Sequence, residues 1–283
     1  MIAGFDLSDF VLRVLAEDLG VGGDVTSAAT IDADARFVAS MNCREPIVVA
    51  GIEIAAAFFR QLDPAVQIGM PVSDGERLEP GTELMSLEGN ARAMLSAERS
   101  ALNTLQHLSG IATLTRRYVD AIAGTGAILL DTRKTIPGLR PLDKYAARMG
   151  GAENHRMRLD DGVLIKDNHV AVNGGVAEAV RRARAAETGL PVQVEVDRID
   201  QIEPALAAGA DRLLLDNMAP PQLREAVALV AGRVPLEASG GVNLQTIRAI
   251  AEAGVTYVSV GRITQSAPAV DIGLDFALQP FSR

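Results

Sequence analysis

Six short apolar runs, separated by longer amphipathic stretches, fill the chain beyond residue 125 and constrain its fold more than any other feature. The runs are Ala127–Leu130, Gly162–Ile165, Val192–Val196, Arg212–Leu215, Val234–Glu237 and Tyr257–Val260. Helical spacing of apolar residues marks Leu142–Met149, Val176–Glu187, Gln201–Ala208, Gln222–Val230 and Leu244–Ala253 between them. Strands that alternate with helices pair in parallel, because a parallel partner is reached only through a long crossover. The runs show no apolar/polar alternation, which reads as strands buried on both faces. The pattern predicts an α/β fold, an incomplete (open) α/β barrel, with a doubly wound open sheet as the competing architecture.

The first hundred residues read differently. Short runs at Ala35–Cys43, Pro46–Ala50, Val66–Met70 and Glu83–Leu87 are punctuated by Asp74-Gly75 and Pro80-Gly81, as in a small antiparallel sheet. From Ala91 to Ile122, apolar residues recur at three- and four-residue spacing, through Leu102, Leu105 and Leu108, and predict long helical structure that Gly110 breaks or joins. The expected organisation is a smaller N-terminal α+β sandwich-like domain over residues 1–108, and a barrel domain over residues 109–266. The C-terminal stretch 267–283 is expected to pack on the first.

Composition narrows the partners. A formal net charge of −9 argues against sequence-independent nucleic-acid binding and against anionic membranes, both of which need a basic surface. The single cysteine, Cys43, rules out an internal disulfide or a cysteine-based zinc site within one chain. Met1–Phe10 carries Asp6 and Asp9 and lacks a basic region, so it does not read as a secretory signal, and no long uncharged apolar run occurs. A cytoplasmic protein is expected.

The polar residues fall where barrel enzymes build their sites. Each apolar run ends on one: Asp131 and Arg133, Lys166, Glu195, Asp216, Ser239 with Gly240-Gly241, and Gly261. One such residue is most simply a cap or a solvated loop charge; six at one end of a barrel describe a cleft, cationic on one side and anionic on the other. All three lysines, Lys134, Lys144 and Lys166, lie between Asp131 and His169, with two of the three histidines. That stretch holds eight Lys/Arg against six Asp/Glu, a charge of +2 in a chain of −9. A basic island of this kind suits a small anionic ligand. Lys144 and Arg148, four apart on a helix, read as a solvated face instead. Ser239-Gly240-Gly241 before a helix, and Gly261 after the last strand, suit a phosphate held by backbone N–H groups.

The motif run DTRKTIPGLRPLDKYAARMGGAENHRMRLDDGVLIKDNHV, Asp131 to Val170, resembles the signature stretch of the quinolinate phosphoribosyltransferase family. The resemblance continues through VQVEVD (Val192–Asp197), LLLDNM (Leu213–Met218), LEASGGV (Leu236–Val242) and VSVGRITQS (Val258–Ser266). It reaches back to LSAERSALNTLQHLSGIAT (Leu95–Thr113) and EDLGVGGDVTS (Glu17–Ser27).

The resemblance implies transfer of phosphoribose from phosphoribosyl pyrophosphate to quinolinate with decarboxylation. The products are nicotinate mononucleotide, pyrophosphate and CO2, in NAD biosynthesis. It implies that Arg133, His155, Arg156 and Lys166 hold quinolinate. Arg99 enters from a neighbouring subunit of a homodimer or higher homo-oligomer. Lys134, Glu195, Asp216, Ser239, Gly240, Gly241 and Gly261 take the phosphoribosyl pyrophosphate. Mg2+ is the implied cofactor, held by Glu195 and Asp216 directly or through water, and the implied catalytic set is Lys134, Lys166, Glu195 and Asp216. Two departures stand out. Gln265 replaces a phosphate-side histidine, and Arg262 is expected to restore that charge; Glu153 adds an anion beside the basic island and is expected to point away. Two other readings are a phosphoribosyltransferase-like protein of molybdate-transport operons, and a non-catalytic phosphate-binding barrel. The full cationic set argues against the first, and Glu195 with Asp216 against the second.

Overall fold

A computed structural model describes Ile2 and residues 4–277. The chain divides into two compact units. One takes in the chain up to Leu114, Pro141–Gly150 and the chain from Ala267; the other takes in Thr115–Arg140 and Gly151–Ser266.

The first unit opens with helices α1 (Leu7–Leu19) and α2 (Val25–Thr30), each started by an aspartate whose carboxylate accepts a backbone N–H of the first turn, Asp6 from Asp9 and Asp24 from Ser27. Then come β1 (Arg36–Cys43), β2 (Ile47–Val48), α3 (Ile52–Leu62), β3 (Gln67–Gly69), β4 (Arg77–Leu78), β5 (Glu83–Asn90) and the long helix α4 (Ala91–Ala121). Helix α4 buries Leu102, Leu105, Leu108 and Ile111, each worth about 1.5–3 kcal/mol out of water. Its hydroxyls also serve the strand beside it: Val48 N donates to Thr113 Oγ1 at 2.8 Å and Ala50 N to Ser109 Oγ at 3.1 Å.

Gly110 does not break α4, contrary to expectation; the helix runs through it unbroken. Its glycine has a packing reason, because a Cβ there would stand 2.1 Å from the carbonyl oxygen of Pro268. The boundary expected at residue 108 therefore falls inside a continuous helix, and the two units part within it, after Leu114.

The second unit begins with β6 (Ile128–Leu130). Helix α5 (Arg140–Met149) follows in the chain, but from Pro141 it belongs to the first unit rather than serving as a barrel crossover. Two polar contacts hold it there: Tyr145 OH donates to Asp74 Oδ2 at 2.5 Å, and His107 Nε2 to the buried Asp143 at 2.9 Å. Next are β7 (Val163–Ile165), α6 (Asp167–Val172), α7 (Val176–Ala185), β8 (Val192–Val196) and α8 (Ile202–Ala207). The second unit ends with β9 (Arg212–Asp216), α9 (Pro220–Val230), β10 (Leu236–Ser239), α10 (Ile247–Ala251), β11 (Tyr257–Ser259) and α11 (Arg262–Gln265), and β12 (Ile272–Ala277) belongs to the first. The last strand pairs antiparallel with β1, in a sheet ordered β12-β1-β5-β3. Residues 278–283 of the C-terminal stretch lie outside the described residues.

Six strands pair in parallel in the order β6-β11-β10-β9-β8-β7, so successive strands are neighbours all round except between β6 and β7. This is an α/β barrel left open at one seam. At that seam Glu153 exchanges backbone hydrogen bonds with Leu129 and Asp131, lengthening the sheet by one bridge on the open edge of β6.

The strands do alternate, which the apolar reading of their sequences did not anticipate. In β8, β9 and β10 the apolar residues Val192, Val194, Leu213, Leu215, Leu236 and Ala238 lie between inward positions that are mostly polar. Gln193 on β8 bonds Glu237 on β10 across the intervening β9, which puts both on the concave face.

Candidate active site

Residues at the C-terminal ends of these strands surround one cleft of about 760 Å3. It is lined by Thr132, Arg133 and Lys134 after β6, and by Lys166 and Asp167 after β7. Glu195 and Asp216 come from β8 and β9, Ser239 to Asn243 follow from β10, and Ser259 to Arg262 with Gln265 from β11. Every lining residue belongs to the second unit.

The cationic side is built on a buried carboxylate. Asp131 is fully buried and accepts the backbone N–H of His155 on Oδ1 at 2.8 Å and Asn154 Nδ2 on Oδ2 at 2.5 Å. It thereby fixes the loop at 154–156 against the end of β6. His155 in turn accepts the Arg156 N–H on Nδ1 at 2.8 Å, and Arg156 Nη1 donates to the Gly162 carbonyl at 2.8 Å. Burial and then the neighbouring Arg133 charge push the Arg156 guanidinium below its ordinary value. Arg133 Nε is itself buried with no hydrogen-bond partner. Two guanidiniums close enough to repel, one with an orphaned donor, present the charge and donor geometry that carboxylates pair with.

The opposite side is anionic. Lys166 Nζ meets Glu195 Oε2 at 2.6 Å. Burial and then the charge of Glu195 raise the Asp216 carboxyl above its usual value. Asn217 steadies Asp216, donating from Nδ2 to its Oδ2 at 2.6 Å, and itself adopts a left-handed backbone at φ 55°. Among the described residues no group of three or more His, Cys, Asp or Glu is placed to hold a metal by itself.

Two glycines are needed here for reasons of contact. At φ +90°, Gly240 would place a Cβ 2.2 Å from Asn217 Oδ1 and 2.8 Å from Asn217 N. A Cβ on Gly261 would lie 2.7 Å from Lys134 Cδ, so its absence lets that side chain cross the end of β11. The expected helix start behind Gly240-Gly241 is corrected. Helix α10 begins only at Ile247, and the intervening Asn243 side chain already accepts the N–H groups of Gln245 and Thr246. Helix α11 after Gly261 spans four residues, too short for a developed dipole. Any phosphate here would meet loop N–H groups and the exposed Arg262 and Gln265.

The cleft thus gathers Arg133, Lys134, His155, Arg156, Lys166, Glu195, Asp216, Ser239, Gly240, Gly241, Gly261, Arg262 and Gln265. Arg99 is not among its lining residues; it is exposed on α4 in the first unit. Lys144 is fully buried, not part of a solvated face, whereas Arg148 is exposed with its guanidinium 5.9 Å from the Tyr145 ring. His169 accepts the Lys166 backbone N–H at 2.9 Å at the start of α6, and it and the exposed Glu153 stay out of the cleft. Sequence reading passed over Asn217 and Glu237. An asparagine after a strand-end aspartate is a signal for the left-handed turn at 217; Glu237 was concealed as the last residue of an apolar run.

Residues 24–109 match the quinolinate phosphoribosyl transferase N-terminal domain, and residues 111–275 match the C-terminal domain of the same family. A curated relative from Mycobacterium leprae, a carboxylating nicotinate-nucleotide pyrophosphorylase, is 45% identical over 272 residues, covering 94% of this chain and 96% of its own. The nicotinate-nucleotide pyrophosphorylase structure from Francisella tularensis superposes with a TM-score of 0.91 at 40% identity over 96% of both chains. That from Ehrlichia chaffeensis gives 0.93 at 40% identity, over 97% of this chain and all of its own. With both domains matched in order over most of its length, the chain belongs to the quinolinate phosphoribosyltransferase family.

Proposed function

We propose that this protein transfers phosphoribose from phosphoribosyl pyrophosphate to quinolinate and decarboxylates the product, yielding nicotinate mononucleotide, pyrophosphate and CO2 for NAD biosynthesis. The observation that carries the reading is the paired guanidiniums of Arg133 and Arg156 with the orphaned Arg133 Nε. A diacid with carboxylates on adjacent ring carbons offers charge to both guanidiniums and an acceptor to the orphaned Arg133 Nε.

With the diacid held by Arg133, Arg156 and Lys166, its ring nitrogen displaces pyrophosphate from the anomeric carbon, forming the C–N bond as the C–O bond breaks. Positive charge that builds on the ribose carbon is offset by Glu195 and Asp216. Departure of the adjacent carboxylate as CO2 then leaves its bonding electron pair on the ring carbon, an ylide stabilised by the neighbouring pyridinium charge, and that pair takes up a proton. Lys134, lying across Gly261, spans the acid and phosphate sides, and Arg262 faces the phosphates.

Mg2+ fits the donor set: Glu195 and Asp216 would hold it, directly or through water, as hard oxygen donors whose mutual repulsion a cation would relieve. When bound it supplies charge neutralisation for the pyrophosphate. We propose a cytoplasmic homodimer or larger homo-oligomer in which Arg99 enters a neighbouring subunit's cleft; its exposure on α4 supports this reading. Among the described residues no helix is long and apolar enough to cross a membrane.

Incubation with Mg2+, phosphoribosyl pyrophosphate and either quinolinate or nicotinate, following CO2 and mononucleotide, tests the reaction; turnover of nicotinate alone would overturn it. Mixed dimers of Arg99→Ala and Lys166→Ala subunits should recover activity if Arg99 acts in trans. No recovery in confirmed heterodimers counts against the shared site.

A further inference from the structure

Below the cationic side of the cleft, the concave face of the barrel carries a charged cluster. Glu237 on β10 is 1% exposed. Its Oε2 accepts Gln193 Nε2 at 2.8 Å and faces His155 Nε2 at 3.4 Å and Arg212 Nη1 at 3.7 Å. Its Oε1 has no hydrogen-bond partner. The guanidinium of Arg212 lies 3.8 Å from the centre of the Tyr257 ring, on the next strand but one. A buried carboxylate costs stability unless its neighbours compensate it. Burial drives the Glu237 carboxyl up, yet the His155 ring and the bonds from Gln193 and Ser259 outweigh it and hold the group below the usual range. The Glu237 carboxyl is thus set into the floor of the proposed acid-binding cleft, where a negative charge would oppose the ligand's own. Its presence there needs a reason.

The imidazole of His155 supplies one. Its Nδ1 accepts the Arg156 backbone N–H, which leaves the ring proton on Nε2, the nitrogen that faces Glu237. Asp131 holds the backbone of the same residue. Nδ1 is thus taken up by the protein while Nε2 faces Glu237, and the next residue along is one of the two paired guanidiniums. The 3.4 Å separation lacks hydrogen-bond alignment, and both His155 Nε2 and Glu237 Oε1 remain unpartnered.

We infer that Glu237 is a positioning residue for the diacid site, acting through the Nε2–H tautomer of His155 to fix the backbone, and so the guanidinium, of Arg156. The inference rests on the quinolinate reading and deepens it: Glu237 sets the orientation of His155 within the acid site. Loss of an outer partner that orients a binding group typically costs about 10- to 100-fold in metal sites, the nearest measured analogy.

Two measurements test it. Nitrogen-15 NMR of the substrate-free wild-type protein, with the His155 signals assigned by their absence in His155→Gln, should show Nε2 protonated and Nδ1 bare. A proton on Nδ1 overturns the inference, whatever any variant does. In steady-state kinetics, Glu237→Met should raise the KM for quinolinate about tenfold or more and leave that for phosphoribosyl pyrophosphate unchanged. Glu237→Gln, which keeps an acceptor in place of Oε2, should recover most of the loss. An unchanged quinolinate KM in Glu237→Met, or equal rises in both KM values, overturns the inference. If neither variant folds, the wild-type tautomer decides. Failure of the wild type to consume quinolinate instead counts against the proposed reaction, and the tautomer, read without substrate, still judges the Glu237–His155 pair separately.

Discussion

Nζ of Lys166 stands 2.6 Å from Oε2 of Glu195, joining the cationic and anionic sides of the cleft through one ion pair. The lysine side chain is 49% exposed and the glutamate 9%, so the pair is wet on one side and desolvated on the other. Such a half-exposed bridge contributes little net stability and exchanges partners readily. On the proposed reaction, an incoming carboxylate would compete for the lysine and release Glu195, so that the two substrates would be coupled through this pair.

Lys166→Ala is expected to raise the KM for quinolinate by about 10- to 100-fold, the range for losing one charge-assisted hydrogen bond. The folded state should lose some stability, because Glu195 is left desolvated and without its cation beside Asp216. Steady-state kinetics alongside thermal melts check both halves of this expectation.

Asp216 carries a pH signature. Burial, then the charge of Glu195, raises its carboxyl, so the folded protein holds a proton there that the unfolded chain has already released. Folded stability consequently falls as pH climbs from the ordinary aspartate value through the raised one, and stays lowered above it. Asp216→Asn removes that loss. The melting temperature of the variant relative to wild type should increase with pH across this acidic window and level off beyond it. A difference that is flat with pH contradicts the shift.

Arg262 lines the cleft with Gln265 and is exposed. Arg262→Ala is expected to raise the KM for phosphoribosyl pyrophosphate while that for quinolinate stays put. An unchanged value for phosphoribosyl pyrophosphate removes Arg262 from the phosphate site.

Gly110 tests packing apart from chemistry. Its Cβ would meet Pro268 O at 2.1 Å and Ala269 Cα at 3.1 Å, and both are backbone atoms that cannot swing aside. Gly110→Ala should cost about 1–3 kcal/mol, as overpacking does, and lower the melting temperature by several degrees. Both KM values should remain at wild-type level.

Much of the site was legible because parallel strands place their C-terminal residues at one end whatever the detail of packing. Arg133, Lys166, Glu195, Asp216 and Ser239 could be read simply as the residues that end each run. Glu237 could not, because its run was read as buried on both faces while the barrel turns every second position toward a polar interior. Lys144 looked like a surface charge from its spacing to Arg148, yet it is buried, and no local pattern records what covers a helix. The role of Gly110 was equally hidden, since the Pro268 backbone that crowds it lies more than 150 residues further along the chain.

The amino-acid sequence by itself determined the strand–helix alternation, the charge of the island between Asp131 and His169, and the family, because period, charge and motif are local properties. Only the tertiary structure decided which side chains share a space: Arg133 against Arg156, Lys166 against Glu195, and His155 between Arg156 and Glu237. Those pairings depend on strand register and on the closure of the barrel around its open seam. Register and closure are set by contacts summed over the whole unit, and no short stretch of sequence encodes them.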